Sequence, residues 1–276
     1  MSMYNPEIRI AILDLNEGTE NQGMRCLREI IQQFSLKNNI AIQTKEYEVR
    51  LSNNIPSLDF DIYISSGGPG SPIDSADTAW EKNYFKWITD LLDYNKNNVK
   101  KKSVFFICHS FQLACRYFKI AHVNKRKSTS FGVFPVHFVN DKPPFIFEGL
   151  SNPFYAVDHR DYQVIQPNEA LMNQMGAKII AIEKERPHVP YERAIMAVQF
   201  NDYMIGTQFH AEADPHGMIQ YLLSDEKKNM VIENHGREKW ESMIRQLNDT
   251  DKIMQTYATI LPAFLQTTYE NLNKEM

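Results

Sequence analysis

The chain has only three cysteines, Cys26, Cys108 and Cys115, and no framework spacing joins them. A disulfide-stapled scaffold is thereby excluded, and free thiols in a reducing, cytoplasmic setting are expected. An excess of one charge is also missing: 30 Lys and Arg stand against 34 Asp and Glu, a formal net charge of −4. That balance leaves no basic footprint for nucleic acid. The short basic runs, Lys100 to Lys102 and Lys125 to Lys127, read as solvated edges beside strands. No apolar run approaches bilayer-spanning length, and Met1 to Ile10 lacks the charged-then-apolar layout of a secretion signal, so no membrane is expected. His122, His137, His188, His216 and His235 share no metal-ligand spacing, so no metal is expected. There is no internal repeat, no low-complexity tract and no G-x-x-x-x-G-K-[ST] phosphate loop.

What remains is an ordinary globular composition, 43% hydrophobic and 23% charged, in 276 residues. Short β-rich runs alternate with helical patterns. Ile8 to Leu15 precedes a helical stripe of Met24, Leu27, Ile30, Ile31 and Phe34. Strand-like runs at Ile40 to Val49 and Asp61 to Ser65 precede a helical stretch from Trp80 to Leu92. Tyr84, Phe85 and Trp87 read as its core face. This grammar predicts an α/β fold with an open, mostly parallel sheet flanked by helices. After residue 121 strands dominate: Phe131 to Val139, Phe154 to Val157, Lys178 to Glu183, Ala194 to Phe200 and Tyr203 to Phe209. The turn Asn201-Asp202 makes a hairpin of the last two. From Pro215 onward the pattern is helical, with Asp214-Pro215 as a start signal and Gly236 as a stop.

The stretch FFICHSFQLACRYF, Phe105 to Phe118, breaks a buried strand at Cys108 and resumes with helical spacing. Ligands of an open parallel sheet bind beyond the carboxyl ends of its strands. A sharp strand-to-helix turn there exposes the sulfur, and the helix amino terminus stabilises negative charge on it. The backbone N–H of His109 is free at the same helix end to meet an oxyanion. Cys26 and Cys115, at helical spacing among apolar neighbours, read as core. A second strand ends in SSGGPGSP, Ser65 to Pro72, whose glycines let backbone amides approach a ligand. A third delivers GTQFHAEAD, Gly206 to Asp214, in which His210 and Glu212 point the same way along an extended chain. That is a base with its orienting carboxylate.

Together with HRDYQVIQP, these stretches arrive in the order of the motifs of class I glutamine amidotransferase domains, which the chain resembles from Ile8 to Asp214. The arrangement is similar to stand-alone proteins akin to the glutaminase half of GMP synthase. The resemblance implies a flavodoxin-like α/β fold, with Cys108 as nucleophile, His210 as acid/base and Glu212 as its partner. It implies Gly68 and His109 as oxyanion-hole donors, and Gly70, Gln112, Phe131 and Gly132 as substrate contacts. His159 and Asp161 match a motif that supports the site from behind. The implied substrate is glutamine or another γ-glutamyl amide, with no cofactor and with ammonia released or passed to a separate synthetase. The same residues would also serve a γ-glutamyl peptidase or an acyl transfer to homoserine, and a catalytically silent binding module is the rival outside the enzymes.

Four positions depart from the family pattern. Phe106 and Ser110 stand where glycines usually flank the elbow, and Phe106 is expected to reshape the pocket wall. Ala211 replaces the usual proline, and Ser130 a common acidic residue. The domain reading is 1–214 for the amidotransferase-like unit and 215–276 for a helical extension packed on it. Its apolar stripes (Trp240, Met243, Ile244, Leu247; Ile253, Tyr257, Ile260, Leu261, Phe264, Leu265, Leu272) call for self-docking, with a homodimer as the alternative. Pro262 is expected to kink or restart the last helix.

Overall fold

The strand-like runs become the strands of one sheet. In the computed structural model, which describes residues 7–274 apart from 20, 188–189 and 249, the strands are β1 (Ile8–Asp14), β2 (Ile42–Glu48), β3 (Ile62–Ser65), β4 (Ser103–Ile107), β5 (His122–Phe138), β6 (Phe154–Ile165), β7 (Lys178–Glu183), β8 (Ile195–Asn201) and β9 (Met204–Thr207). The helices are α1 (Gln22–Asn38), α2 (Ala79–Asn97), α3 (His109–Phe118), α4 (Glu169–Met175), α5 (Pro215–Leu223), α6 (Asp225–His235), α7 (Arg237–Asn248) and α8 (Thr250–Lys274). Strand order is β2-β1-β3-β4-β9-β8-β7-β5-β6. From β2 to β9 the pairing is parallel, and from β9 to β6 it is antiparallel. The parallel half needs helical crossovers and buries both faces, which is why β3 and β4 are buried at every position.

Helix α1 shows how sequence becomes layer. Asn21 caps it by accepting the Gly23 N–H, its apolar positions recur three and four apart, and Asn39 ends it in the left-handed conformation at φ 51°. Its buried stripe joins Ile10, Ile12, Phe105 and Ile107 in one core layer. The tail completes that layer: Tyr257, Ile260, Leu261, Phe264 and Leu265 of α8 lie in it, and Phe264 meets Phe105 edge-on at 5.3 Å. On the opposite face Tyr84 and Trp87 of α2 and Phe111 and Leu113 of α3 pack with Val104, Phe106 and Phe200. A third cluster holds Phe131, Val133 and Val157 under Leu222, Met243 and Leu247 from α5 and α7.

Several expectations need correction. Lys102 is not solvated: it is buried, and its Nζ donates to the Phe60 carbonyl at 2.6 Å. Arg126 is likewise half-buried, pairing with Glu183 at 3.1 Å, because β5 begins nine residues before Phe131 and draws the basic run into the sheet. Pro262 does not restart the last helix; α8 runs through it, held by Leu261 on one side and Phe264 and Leu265 on the other. Phe106 lies in the α2/α3 core layer, with its ring 5.8 Å from Phe200, and forms no pocket wall. The space that a glycine would give at 106 is supplied by its β9 neighbour, Gly206, in register with it. His188 lies outside the described residues, as do residues 1–6 of the amino-terminal stretch.

A methyl group on Gly206 would sit 2.8 Å from Phe111 Cδ2 and 3.1 Å from both Cβ and the carbonyl of Phe106. Gly206→Ala should therefore cost about 1–3 kcal/mol through overpacking, read as a lowered urea midpoint with an unchanged slope.

Candidate active site

Three chain segments meet beyond the carboxyl ends of β3, β4 and β9. Cys108 sits between β4 and α3 at φ 48° and ψ −99°, a backbone conformation costing a non-glycine residue about 1–3 kcal/mol. Hydrogen bonds hold the turn there. The Cys108 N–H donates to the Thr207 carbonyl at 2.8 Å, and the Gln112 N–H returns to the Cys108 carbonyl at 3.0 Å. The buried Ser110 hydroxyl accepts from the Ile107 N–H at 2.8 Å and donates to the Ser65 carbonyl at 2.7 Å. Ser110 is thus a brace between β4 and β3, a role that glycine could not fill.

His210 bridges to β6, its N–H donating to the Val157 carbonyl at 2.9 Å. Its Nδ1 lies 2.7 Å from Glu212 Oε1, with the carboxylate almost wholly buried and the imidazole 22% exposed. Burial works against a proton on His210, but the Glu212 carboxylate and the Cys108 sulfur outweigh it and hold the pKa well above the ordinary histidine value. The imidazole is therefore biased toward its charged form. Cys108 Sγ also faces the His159 carbonyl at 3.6 Å and the Gln208 amide at 3.7 Å.

The glycine loop closes the other side. A Cβ on Gly67 would lie 3.0 Å from His210 Cε1 and 3.5 Å from Cys108 Cβ, so only glycine leaves this face open. Gly68 packs so tightly on the Leu15 carbonyl that any side chain would collide with it. Gly70, at φ 82°, turns the loop. Arg50, which the sequence does not flag, clamps the loop: its Nη1 donates to the carbonyls of Pro69 at 2.6 Å and Leu15 at 3.3 Å, and Nη2 pairs with Glu17 at 2.9 Å.

The remaining expected residues are placed unevenly. His109 is buried, and burial with Arg50 and Arg116 nearby lowers its pKa to about 3, so its side chain is neutral. Gln112 is buried too; its amide reaches Gln208 Oε1 at 3.0 Å and meets the sulfur only through that residue. Phe131 pairs in register with His159, their rings 4.7 Å apart. Gly132 lies beneath Phe134 and Met243. Asp161 is exposed and accepts from Thr129, whereas the buried acid of this stretch is Asp158, bound by Ser130 at 2.7 Å and Arg160 at 2.9 Å. Arg160 reaches on to Glu183 at 3.2 Å, tying β6 to β7 behind the site. Among the described residues no group of His, Cys, Asp or Glu is placed to hold a metal, and no helix is long and apolar enough to cross a membrane.

Comparison with known proteins decides the family. The family model described as "Glutamine amidotransferase class-I" matches residues 15–230. The chain belongs to this family. Among solved structures, a glutamine amidotransferase of Thermotoga maritima superposes with a TM-score of 0.67 at 13% identity, covering 95% of this chain and 98% of that one. A glutamine amidotransferase of Methylobacillus flagellatus gives 0.59 at 16% identity, over 98% and 95%. These likenesses show the amidotransferase fold. A homoserine O-acetyltransferase of Clostridium beijerinckii is 28% identical over 216 residues, 67% of each chain.

The three thiols of this amidotransferase-family chain should differ in reactivity. Burial pushes Cys26 up to about 12 and Cys115 well above its ordinary value. Iodoacetamide on the native protein near neutral pH should label the Cys108 peptide first, read by peptide mass spectrometry, and His210→Ala should slow that labelling.

Proposed function

We propose that the chain hydrolyses the side-chain amide of glutamine, or of a related γ-glutamyl compound, through a thioester on Cys108. The observation that carries this reading is the convergence of a strained Cys108 turn, a glycine loop and a His210–Glu212 pair at one end of the parallel strands. Membership of the glutamine amidotransferase family supports it.

The steps follow from the chemistry of these groups. The Cys108 sulfur attacks the amide carbon, and the oxyanion accepts hydrogen bonds from the backbone N–H groups of Gly68 and His109. Each such donor is typically worth about 3 kcal/mol of barrier. The charged His210 gives its proton to the departing ammonia, leaving the acyl group on sulfur. Neutral again, it takes a proton from water, whose oxygen attacks the thioester; glutamate leaves and the thiol is restored. Glu212 keeps the imidazole turned toward the sulfur throughout. Gly70, Phe131 and Gly132 would meet the amino-acid end of the substrate, with Gln112 acting through Gln208. Ammonia is released or passed to a separate synthetase. The unpaired thiols support a reducing compartment such as the cytoplasm.

One observation favours a second reading. The relative that shares 28% of residues is named a homoserine O-acetyltransferase. The same thioester chemistry would move an acetyl group from a thioester donor to the homoserine hydroxyl. The two readings separate by the adduct trapped on Cys108 when the protein meets glutamine, or acetyl-CoA with homoserine.

Cys108→Ala should abolish glutamate release from glutamine in an otherwise folded protein; equal turnover in both would refute the mechanism. Glu212→Gln should lower kcat/KM less than His210→Ala does, because a neutral amide retains part of the positioning.

A further inference from the structure

The Glu212 carboxylate has a neighbour that the mechanism does not use. Its Oε1 holds His210, while its Oε2 is buried with no hydrogen-bond partner. Beneath it lies the first turn of α1, and the closest approach is at Gly23: a Cβ there would lie 3.0 Å from Glu212 Oε1 and 2.8 Å from Asn21 Oδ1. The free N–H groups of a helix amino terminus favour negative charge, so the carboxylate rests where the backbone stabilises it. The same turn grips the chain two residues further on. Arg25 Nη2 binds Asp214 Oδ1 at 2.7 Å, and Asp214 Oδ1 in turn accepts the Gly217 N–H at 2.7 Å.

We propose that Gly23 is a positioning residue, whose missing side chain leaves room for the Glu212 carboxylate to lie against the α1 amino terminus and hold the His210 imidazole. The choice of residue supports this, because glycine is otherwise a poor one. Position 23 is within a helix and lacks a positive φ, so alanine would suit the backbone better. The two atoms in the way are ends of flexible side chains, so a methyl group there is cheap for the fold. What gives way, however, is the cap and the carboxylate that orients the imidazole. The other charged or titratable groups around this turn are Arg25, Cys26, Glu29, Asp214 and Tyr257, and none of them is among the nearest atoms that the methyl group would meet.

The inference rests on the proposed role of Glu212, and its test reads that contact apart from turnover. Gly23→Ala should fold, with a thermal midpoint no lower than that of the Asn21→Ala variant. Its His210 titration, followed by NMR of the imidazole, should move down by roughly one pH unit, toward that of Glu212→Gln. Its glutaminase kcat should fall about 10- to 100-fold with KM little changed. Asn21→Ala removes the cap but not the gap, and should leave the His210 titration in place. The proposal is overturned if Gly23→Ala titrates like the wild type, if it fails to fold, or if Asn21→Ala moves His210 as far. A wild-type protein inactive on glutamine would instead refute the assigned reaction, and the titration would still decide the role of Gly23.

Discussion

A single buried hydroxyl braces two of the three strand ends on which the site is built. Ser110 Oγ takes the Ile107 N–H and gives its proton to the Ser65 carbonyl, so β4 leaves the sheet at a fixed distance from β3. Ser65 Oγ is itself bonded to Tyr84 of α2 at 2.8 Å, which anchors the brace in the helical layer. Without that brace the unfavourable φ of Cys108 would have a cheaper alternative, and the sulfur would swing from the glycine loop that starts one residue after Ser65. In a buried setting each such bond is expensive to leave unmade, at about 1–3 kcal/mol, which is the scale of the strain it contains.

That brace also explains why the elbow tolerates two residues larger than glycine. Ser110 fills its space with hydrogen bonds. Phe106 fills its own because Gly206, on the adjacent strand, gives up a side chain. The crowding has been moved across the ladder, away from the sulfur. A compensation of this kind is invisible to a motif read along the chain, since the two residues are a hundred positions apart. It becomes plain once the register pairs them.

Local patterns therefore carried the fold further than the site. Runs of β-branched residues, helix caps and the Asn201-Asp202 turn are local, and the strands and helices they announce are present, with α5 starting at Pro215 and α6 ending at Gly236. Strand ends were harder: β5 extends back to His122 through a basic stretch whose Arg126 finds Glu183 only in three dimensions. The ordered motifs led to Cys108, His210, Glu212 and the glycine loop. Arg50 acts on the glycine loop through contacts of long sequence separation, and a single polar residue gives no periodic signal. Lys102 shows the opposite error, a charge read as solvated because its partner, the Phe60 carbonyl, is remote in sequence.

The site's electrostatics depend on which charges the fold keeps dry. Glu212 is buried and the His210 ring is partly open, so their attraction is strong on the side away from water and favours the protonated imidazole. His109, next to Cys108 in the chain, is also buried, and its burial with Arg50 and Arg116 nearby keeps it neutral. Two histidines of one site are thus biased toward opposite protonation states. The difference lies in the neighbourhood and not in the residue. It depends on Glu212 beside His210 and on Arg50 and Arg116 near His109, so the charges that the loops and helices bring in set the proton inventory of the site.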